Sequence, residues 1–372
     1  MAPDPRLVAI TGAEGFVGRN LAVRLGEAGF AVRPIGHGTD ADEMAASLGE
    51  ADIVFHLAGA NRPADPADFM TTNRDYAAAV AAAIEAGGRK PLVICSSTAK
   101  AAEDSDYGRS KQAGEQAMLG LGETGAATVT VYRLPNIFGK WARPDYNSAV
   151  ATFCHNIARG LPIRIDDPAA PLSLLYVDDL IDAWLALLDA RPRDSGFAEA
   201  GPVYTTTVGA VAEAIRGFER DRQAGSVAEV GCGLTRALYA TFIAALPEAA
   251  FSYPLVAHTD PRGSFSEMIK TPASGQISYF TAHPGVTRGG HYHHSKVEKF
   301  LIVHGEARFR FRHILTGATH EVRTSGAAPV VVETIPGWAH DVTNVGDEVM
   351  IALLWANEVF DRARPDTIAR PL

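Results

Sequence analysis

Short runs of apolar, often β-branched residues recur through the first two thirds of the chain, at Leu7–Ile10, Ala31–Ile35, Ile53–Leu57, Pro91–Cys95 and Thr128–Tyr132. Most of these runs are continuous rather than alternating. The stretches between them are alanine-rich, with apolar positions at helical spacing such as Val17, Leu21 and Leu25. A strand that is apolar on both sides has both faces covered, so the alternation predicts a doubly wound α/β (Rossmann) domain, a parallel sheet with helices on each face. After about residue 255 the pattern changes to short strands separated by Gly, Pro and Asn turns: Gln276–Thr281, Lys299–Val303, Ala307–Phe311, Val330–Thr334 and Val349–Trp355. That is the pattern of an all-β sandwich or barrel. Pro247 and Pro254 bracket the change, which places an α/β domain at residues 1–250 and a β domain at residues 251–372.

A length of 372 residues exceeds what one hydrophobic core accommodates and agrees with two domains. The formal net charge of −9 leaves no general cationic field for phosphate backbones or anionic lipid, so nucleic acid and membrane surfaces are not expected partners. Cys95, Cys154 and Cys232 are too far apart for a CxxC metal site and too few for a disulfide framework, which points to a reducing compartment. No apolar run reaches the ~18 residues of a membrane span. The first one is too short for a signal-peptide core, and a cytoplasmic location is expected.

Directly after the first run comes Thr11-Gly12-Ala13-Glu14-Gly15-Phe16-Val17-Gly18, leading into a helical pattern. Glycines in such a turn let the backbone approach a pyrophosphate, whose charge is met by the helix N-terminus. This predicts a dinucleotide site around Gly12, Gly15, Phe16 and Gly18. Tyr107-Gly108-Arg109-Ser110-Lys111 puts a phenol and an ammonium on one helix face, and the ammonium favours the phenolate, so the pair can exchange a proton with a carbonyl or alkoxide oxygen.

With Ser96-Ser97-Thr98 at a strand end, these motifs resemble the short-chain dehydrogenases. The resemblance implies Tyr107 and Lys111 as catalytic residues, and Ser97 or Thr98, with Ser97 preferred, as the hydrogen-bond partner of the substrate oxygen. It also implies that Leu57 and Ala58, in His56-Leu57-Ala58-Gly59, line the cofactor cleft, with Asn73 in the following helix. Arg133-Leu134-Pro135-Asn136-Ile137-Phe138-Gly139 and Tyr176-Val177-Asp178-Asp179 look like the substrate segments of the extended, nucleotide-sugar branch, with Asn136 on the substrate. Asp178 and Asp179 also read simply as the start of a helix. After the second strand, Gly36-His37-Gly38-Thr39 offers no acid for a ribose 2′-hydroxyl, which leans the expectation to NADPH, with His37 beside the ribose; no arginine follows His37, which leaves NADH open.

In the β domain, Gly285-x5-His291-x-His293-x4-Glu298-x6-Gly305 and Pro336-Gly337-x2-His340-x3-Asn344 satisfy nearly the whole two-part cupin (jelly-roll) pattern. Strand alternation puts His291 and His293 on one face, with Glu298 and His340 coming from later strands. Three imidazoles and a carboxylate suit one divalent metal, with Zn²⁺ preferred and Fe²⁺, Mn²⁺ and Ni²⁺ compatible. His294, out of phase, is expected at the surface. Asp260-Pro261-Arg262-Gly263-Ser264-Phe265-Ser266-Glu267 and Arg288-Gly289-Gly290-His291-Tyr292 resemble the deoxysugar 3,5-epimerases, which implies Arg262, Glu267 and Arg288 on a nucleotide sugar and His291 as a base. His291 is thus a candidate both as ligand and as base.

An extended short-chain reductase joined to an epimerase-like cupin resembles one family over essentially the full chain, the bifunctional capsular-polysaccharide enzymes called CapF, WbjC or FnlB. Shared stretches are Asn136 to Asn147, Phe280 to Phe300 and Pro336-Gly337-Trp338-Ala339-His340. The resemblance implies that the cupin inverts C3 of a UDP-linked 4-keto-6-deoxy amino sugar, UDP-2-acetamido-2,6-dideoxy-β-L-arabino-4-hexulose. The reductase then reduces the C4 ketone with NADPH to UDP-2-acetamido-2,6-dideoxy-β-L-talose, in UDP-N-acetyl-L-fucosamine synthesis for capsule or O-antigen. A homodimer is expected. Two alternatives remain: a ketoreductase whose cupin is an iron dioxygenase or isomerase, and a non-catalytic sensor of NADPH and a sugar.

Overall fold

A computed structural model describes residues 6–61, 65, 68–190, 192–254, 258–260, 263–265, 275–358 and 363–372. The chain begins β1 (Leu7–Thr11), α1 (Phe16–Glu27), β2 (Ala31–Ile35), α2 (Ala41–Glu50), β3 (Ile53–His56), a π-helical turn (Met70–Asp75), α3 (Tyr76–Gly87), β4 (Leu92–Thr98), α4 (Asp106–Glu123) and β5 (Thr128–Leu134). It continues through β6 (Asn136–Phe138), α5 (Ala149–Ile157), β7 (Pro171–Tyr176), α6 (Val177–Ala190), β8 (Gly196–Ala198), β9 (Val203–Thr207), α7 (Val208–Gln223) and α8 (Gly233–Ala244). Strands then take over: β10 (Ser252–Pro254), β11 (His258–Asp260), β12 (Gly263–Phe265), β13 (Gln276–Ala282), β14 (Thr287–Tyr292), β15 (Glu298–His304) and β16 (Glu306–His313). The last are β17 (Thr319–Ser325), β18 (Val330–Glu333), β19 (Trp338–Asn344), β20 (Met350–Ala356) and β21 (Ile368–Ala369).

Two compact units result, Met1–Ile137 with Ser173–Thr205, and Phe138–Leu172 with Thr206–Leu372. The first holds a six-stranded sheet in the order β2-β1-β3-β4-β5-β8, parallel throughout, so the five apolar runs of the first half are its first five strands. Apolar side chains cover both faces. Val80, Ile84, Met118 and Leu121 pack on Ala9, Val54, Val93 and Val129, while Trp184 packs on Phe55 and Tyr132. Helix starts are written into the sequence by small polar residues: Asp40 accepts from the Glu43 N–H, Ser105 from Gly108, Ser148 from Ala151 and Thr207 from Ala210. Strand order reverses between β1 and β3, and ligands of open α/β sheets bind beyond the strand ends at such a reversal.

The second unit holds two five-stranded sheets, β10-β18-β15-β20-β13 and β17-β16-β19-β14-β21, with every resolved pairing antiparallel. The change of composition near residue 250 marks where strands replace helices, but the compact units do not divide there. Helices α5, α7 and α8 pack together, and α7 is tied to the sheets by charge: Arg222 donates to Glu333 at 2.8 Å, and the Lys299 ammonium bonds the other oxygen of the same carboxylate. Lys299 and Glu333 are fully buried, with Tyr253 closing the group through a 3.2 Å bond to Lys299. Despite burial, Glu333 is held below its ordinary pKa by Lys299 and Arg222, and Lys299 above its own by Glu333. No described helix is long and apolar enough to cross a membrane.

Removing one partner of a buried ion pair leaves a charge with no compensation, at a cost of about 3–5 kcal/mol. Glu333→Gln is therefore expected to lower the unfolding free energy by about that much in urea denaturation. A loss below about 1 kcal/mol, the level of exposed pairs, would contradict the role given to this carboxylate.

Candidate active sites

The first site lies where β1 and β3 end. Thr11 and His56, opposite each other in the parallel register, are joined by a 2.9 Å bond between the hydroxyl and Nδ1. The same hydroxyl accepts from the Ala58 N–H at 3.4 Å, which ties the end of β1 to the segment after β3. Burial, reinforced by the Lys111 charge, pushes the His56 pKa down to about 3, so the ring is a neutral strut. Gly12, at φ 71°, passes so close to the next strand end that a Cβ there would stand 2.8 Å from the Ala58 nitrogen. A Cβ on Gly18 would meet the Gly12 carbonyl at 2.3 Å. Helix α1 starts at Phe16 after Gly15 with no side chain capping it. A backbone cradle without side chains, opening onto an uncapped helix N-terminus, fits a dinucleotide pyrophosphate. Leu57 and Ala58 form its rim and His37 is exposed on the turn after β2.

Tyr107 and Lys111 stand in the first turns of α4. The phenol donates to Asn61 Oδ1 at 2.7 Å and leans on Phe69. Burial raises its pKa, and the Thr98 hydroxyl, not Lys111, is what opposes that rise. Lys111 reaches instead to the Ser96 carbonyl at 3.2 Å, and burial lowers its pKa. The preference for Ser97 is corrected. Ser97 is buried and donates to Glu115 at 2.5 Å, and Glu115 in turn is held by Arg133 through a 2.6 Å ion pair. Strand alternation turns Ser97 away from the phenol and Thr98 toward it. Asn73, in the π-helical turn, clamps both sides of the Ala60 peptide and bonds Ser110, so it fixes the loop that carries Asn61.

The second site lies between sheet strands of the other unit. One donor atom from each of His291, His293, Glu298 and His340 lies within 4.8 Å of the others. His291 and His340 pair across β14 and β19, with a bulge between Gly289 and His291 that both glycines serve at φ 95° and 77°. His293 Nδ1 bonds the Asp366 carbonyl and His340 Nδ1 the Trp338 carbonyl at 3.3 Å, which aims both Nε2 atoms at Glu298, at 3.1 and 3.7 Å. Backbone carbonyls that fix the outer nitrogen of an imidazole are the usual support of a metal ligand. His340 Nε2 is buried with no hydrogen-bond partner, so the donor set and an orphaned nitrogen both fit a divalent ion. His291 is half-buried, whereas the other three are buried. Burial, then the charges of His340 and His293, push the His291 pKa down to about 4.

Asp366, which no motif marked, organises this site. Its carboxylate accepts from the backbone N–H groups of His294, Ser295 and Lys296 at 2.8, 2.6 and 2.7 Å, and from the Ser295 hydroxyl. Despite burial, these partners and the nearby histidines hold its pKa far below the usual carboxylate range. The clamped turn also buries His294 against Tyr292, contrary to the expected surface position. Of the remaining candidates, Asn136 donates to the Ser173 carbonyl at 3.2 Å, and exposed Arg288 lies over the Phe280 ring. Asp178 is buried beside Arg24 in the first turn of α6. Arg262 and Glu267 lie outside the described residues. Trp338 is a core aromatic packed on Phe251, and His283 is exposed.

Comparison with known proteins agrees with both halves. Residues 8–197 match the NAD dependent epimerase/dehydratase family, and residues 258–368 the polysaccharide biosynthesis C-terminal domain. A Pseudomonas aeruginosa protein named UDP-2-acetamido-2,6-beta-L-arabino-hexul-4-ose reductase is 49% identical over 97% of this chain and 98% of its own length. The crystal structure of the capsular polysaccharide assembling protein CapF from Staphylococcus aureus is 37% identical and covers 98% of this chain and 100% of its own, with a TM-score of 0.68. Bordetella bronchiseptica WbmF, solved with NAD⁺, is 22% identical over 58% of this chain and 80% of its own at a TM-score of 0.51, a likeness of fold alone.

The environment of Tyr107 sets a checkable order of titration. In NMR of ring-labelled tyrosine without ligand, its phenol should titrate above the ordinary value of about 10. Thr98→Val should move it higher, and Ser97→Ala should leave it in place. A Tyr107 phenol titrating near neutrality would show that Lys111 already acts on it.

Proposed function

The chain belongs to the NAD dependent epimerase/dehydratase family and, over nearly its whole length, to the family of the P. aeruginosa hexulose reductase; on that premise we propose that it is a bifunctional enzyme of UDP-sugar synthesis. It reduces the C4 ketone of UDP-2-acetamido-2,6-dideoxy-β-L-arabino-4-hexulose after inverting C3, giving UDP-2-acetamido-2,6-dideoxy-β-L-talose for UDP-N-acetyl-L-fucosamine. The observation that carries this reading is the pairing, in one chain, of a phenol poised at the end of a parallel sheet with a buried three-imidazole, one-carboxylate cluster.

In the reductase, the nicotinamide cofactor supplies the hydride. Gly12, Gly15 and Gly18 admit its pyrophosphate to the N-terminus of α1, with Phe16, Leu57 and Ala58 around the cleft. Thr98 and Tyr107 hydrogen-bond the C4 oxygen, and the phenol gives its proton to that oxygen as the alkoxide forms. Lys111, buried behind the strand end, favours the phenolate that remains. Glu115 and Arg133 keep Ser97 and the end of β4 in place.

In the β unit, His293, Glu298 and His340 would hold a divalent ion, with Zn²⁺ the best match to the donors, and the ion would supply positive charge next to a developing enolate. His291, the half-buried member, is left to take the C3 proton, which the neighbouring ketone acidifies. Arg288 and, from their segment resemblance, Arg262 and Glu267 are assigned to the nucleotide sugar. The free cysteines support a cytoplasmic setting.

Proton NMR of the enzyme with the 4-keto UDP-sugar in D₂O, without nicotinamide cofactor, is the direct test. Deuterium is expected to enter at C3. Tyr107→Phe should abolish reduction and spare this exchange, and His291→Ala should do the reverse. If each change removed both activities from folded protein, the two-site reading would fall. Metal analysis should find one divalent ion per chain, lost in Glu298→Gln.

A further inference from the structure

Whatever acid or cation stands at the end of β2 decides which dinucleotide is preferred, because the adenosine ribose lies there. The backbone position just beyond β2 is Gly36, which has no side chain to contribute. Its space is taken by another residue. A Cβ built on Gly36 would lie 2.7 Å from the Glu14 carboxyl carbon and 2.8 and 3.1 Å from its two oxygens. Glu14 belongs to the glycine turn, and that turn is fastened to the end of β2 by the Gly12 N–H, which donates to the Ile35 carbonyl at 3.0 Å. The turn after β2 is fixed as well, since Gly36 N–H donates to Thr39 Oγ1 at 3.1 Å and Thr39 N–H to the Gly36 carbonyl at 3.3 Å. The acid that the sequence lacks at the end of β2 is thus delivered from the neighbouring glycine turn.

We infer that Glu14 is the specificity-determining residue for the cofactor, accepting hydrogen bonds from the ribose hydroxyls and making NADH the preferred dinucleotide. The inference rests on the dinucleotide site proposed above and replaces the lean toward NADPH drawn from the missing acid. A 2′-phosphate at this point would bring a carboxylate and a phosphate together. The local charges offer it little relief. Arg33, the cation of β2, is committed to Glu50 at 2.6 Å, and the following helix opens with Asp40, Asp42 and Glu43. His37 is exposed.

The test is equilibrium binding, read from the fluorescence of the reduced cofactors with full-length protein and no sugar substrate. Wild-type protein is expected to bind NADH at least about tenfold more tightly than NADPH, Glu14→Gln to bring the two within about threefold, and Glu14→Lys to reverse the order. Equal or tighter NADPH binding by wild type would overturn the inference, as would an unchanged ratio in Glu14→Gln. Failure of folded wild-type protein to bind either compound would instead overturn the dinucleotide site on which the inference rests.

Discussion

Glu298 is a carboxylate buried among three imidazoles, and the second unit is organised around making that tolerable. An ionised group taken out of water costs several kcal/mol unless its charge is matched. Burial alone would drive the Glu298 pKa up, yet attraction to His293, its hydrogen bond, and the nearby His340 ring keep it well below its ordinary value. The His340 ring is meanwhile pushed toward neutrality by burial. A carboxylate ringed by imidazole nitrogens, with Lys296 Nζ 3.7 Å away, is a donor set that a divalent ion would complete. The surrounding structure follows from placing four donors there. β14 needs its glycine bulge to bring His291 opposite His340, and the turn before β15 needs Asp366 to satisfy three consecutive N–H groups as it carries His293 inward.

How much of this was legible in the sequence follows from what each element buries. Strands β1, β3, β4 and β5 are buried on both faces and announce themselves as apolar runs, whereas β2, at the sheet edge, is mostly exposed and carries Arg33 and Pro34. β14 and β19 are absent from the apolar runs because the donors and glycines that make the site interrupt their apolar pattern; β19 is buried along its whole length yet reads Trp-Ala-His-Asp-Val-Thr-Asn. The cupin spacing found the four donors and assigned His291 and His340 to strands that hydrophobic runs alone do not mark. Asp366 was invisible for another reason: it acts across about seventy residues through backbone N–H groups, which leave no trace in side-chain spacing.

The confusion of Ser97 with Thr98 has a similarly local cause. In a strand a shift of one residue exchanges the two faces, and three hydroxyl residues in succession give no pattern from which to choose. What decides is the partner on the far side. Glu115 lies one helical turn beyond Lys111, faces the same strand, and captures Ser97 together with Arg133. Only the folded arrangement reveals that this acid is buried, since nothing near it in sequence differs from a solvated helix face. Glu14 was overlooked for the same reason: it is exposed, it lies within a motif read for its glycines, and its target is more than twenty residues away.

In the proposed pathway the two sites are bound by the chemistry of a single carbonyl, and that chemistry dictates their order. The C3 proton is removable only while C4 is a ketone, because the carbonyl alone accepts the charge left on C3. Once Tyr107 has delivered its proton and C4 carries a hydroxyl, the configuration at C3 is locked. Inversion must therefore precede reduction. The cluster around Glu298 can equilibrate the two C3 epimers without commitment, and the reductase draws off whichever epimer its cleft accepts. Placing both on one chain ensures that the irreversible step is always present where the reversible one operates, with no direct transfer between the sites required.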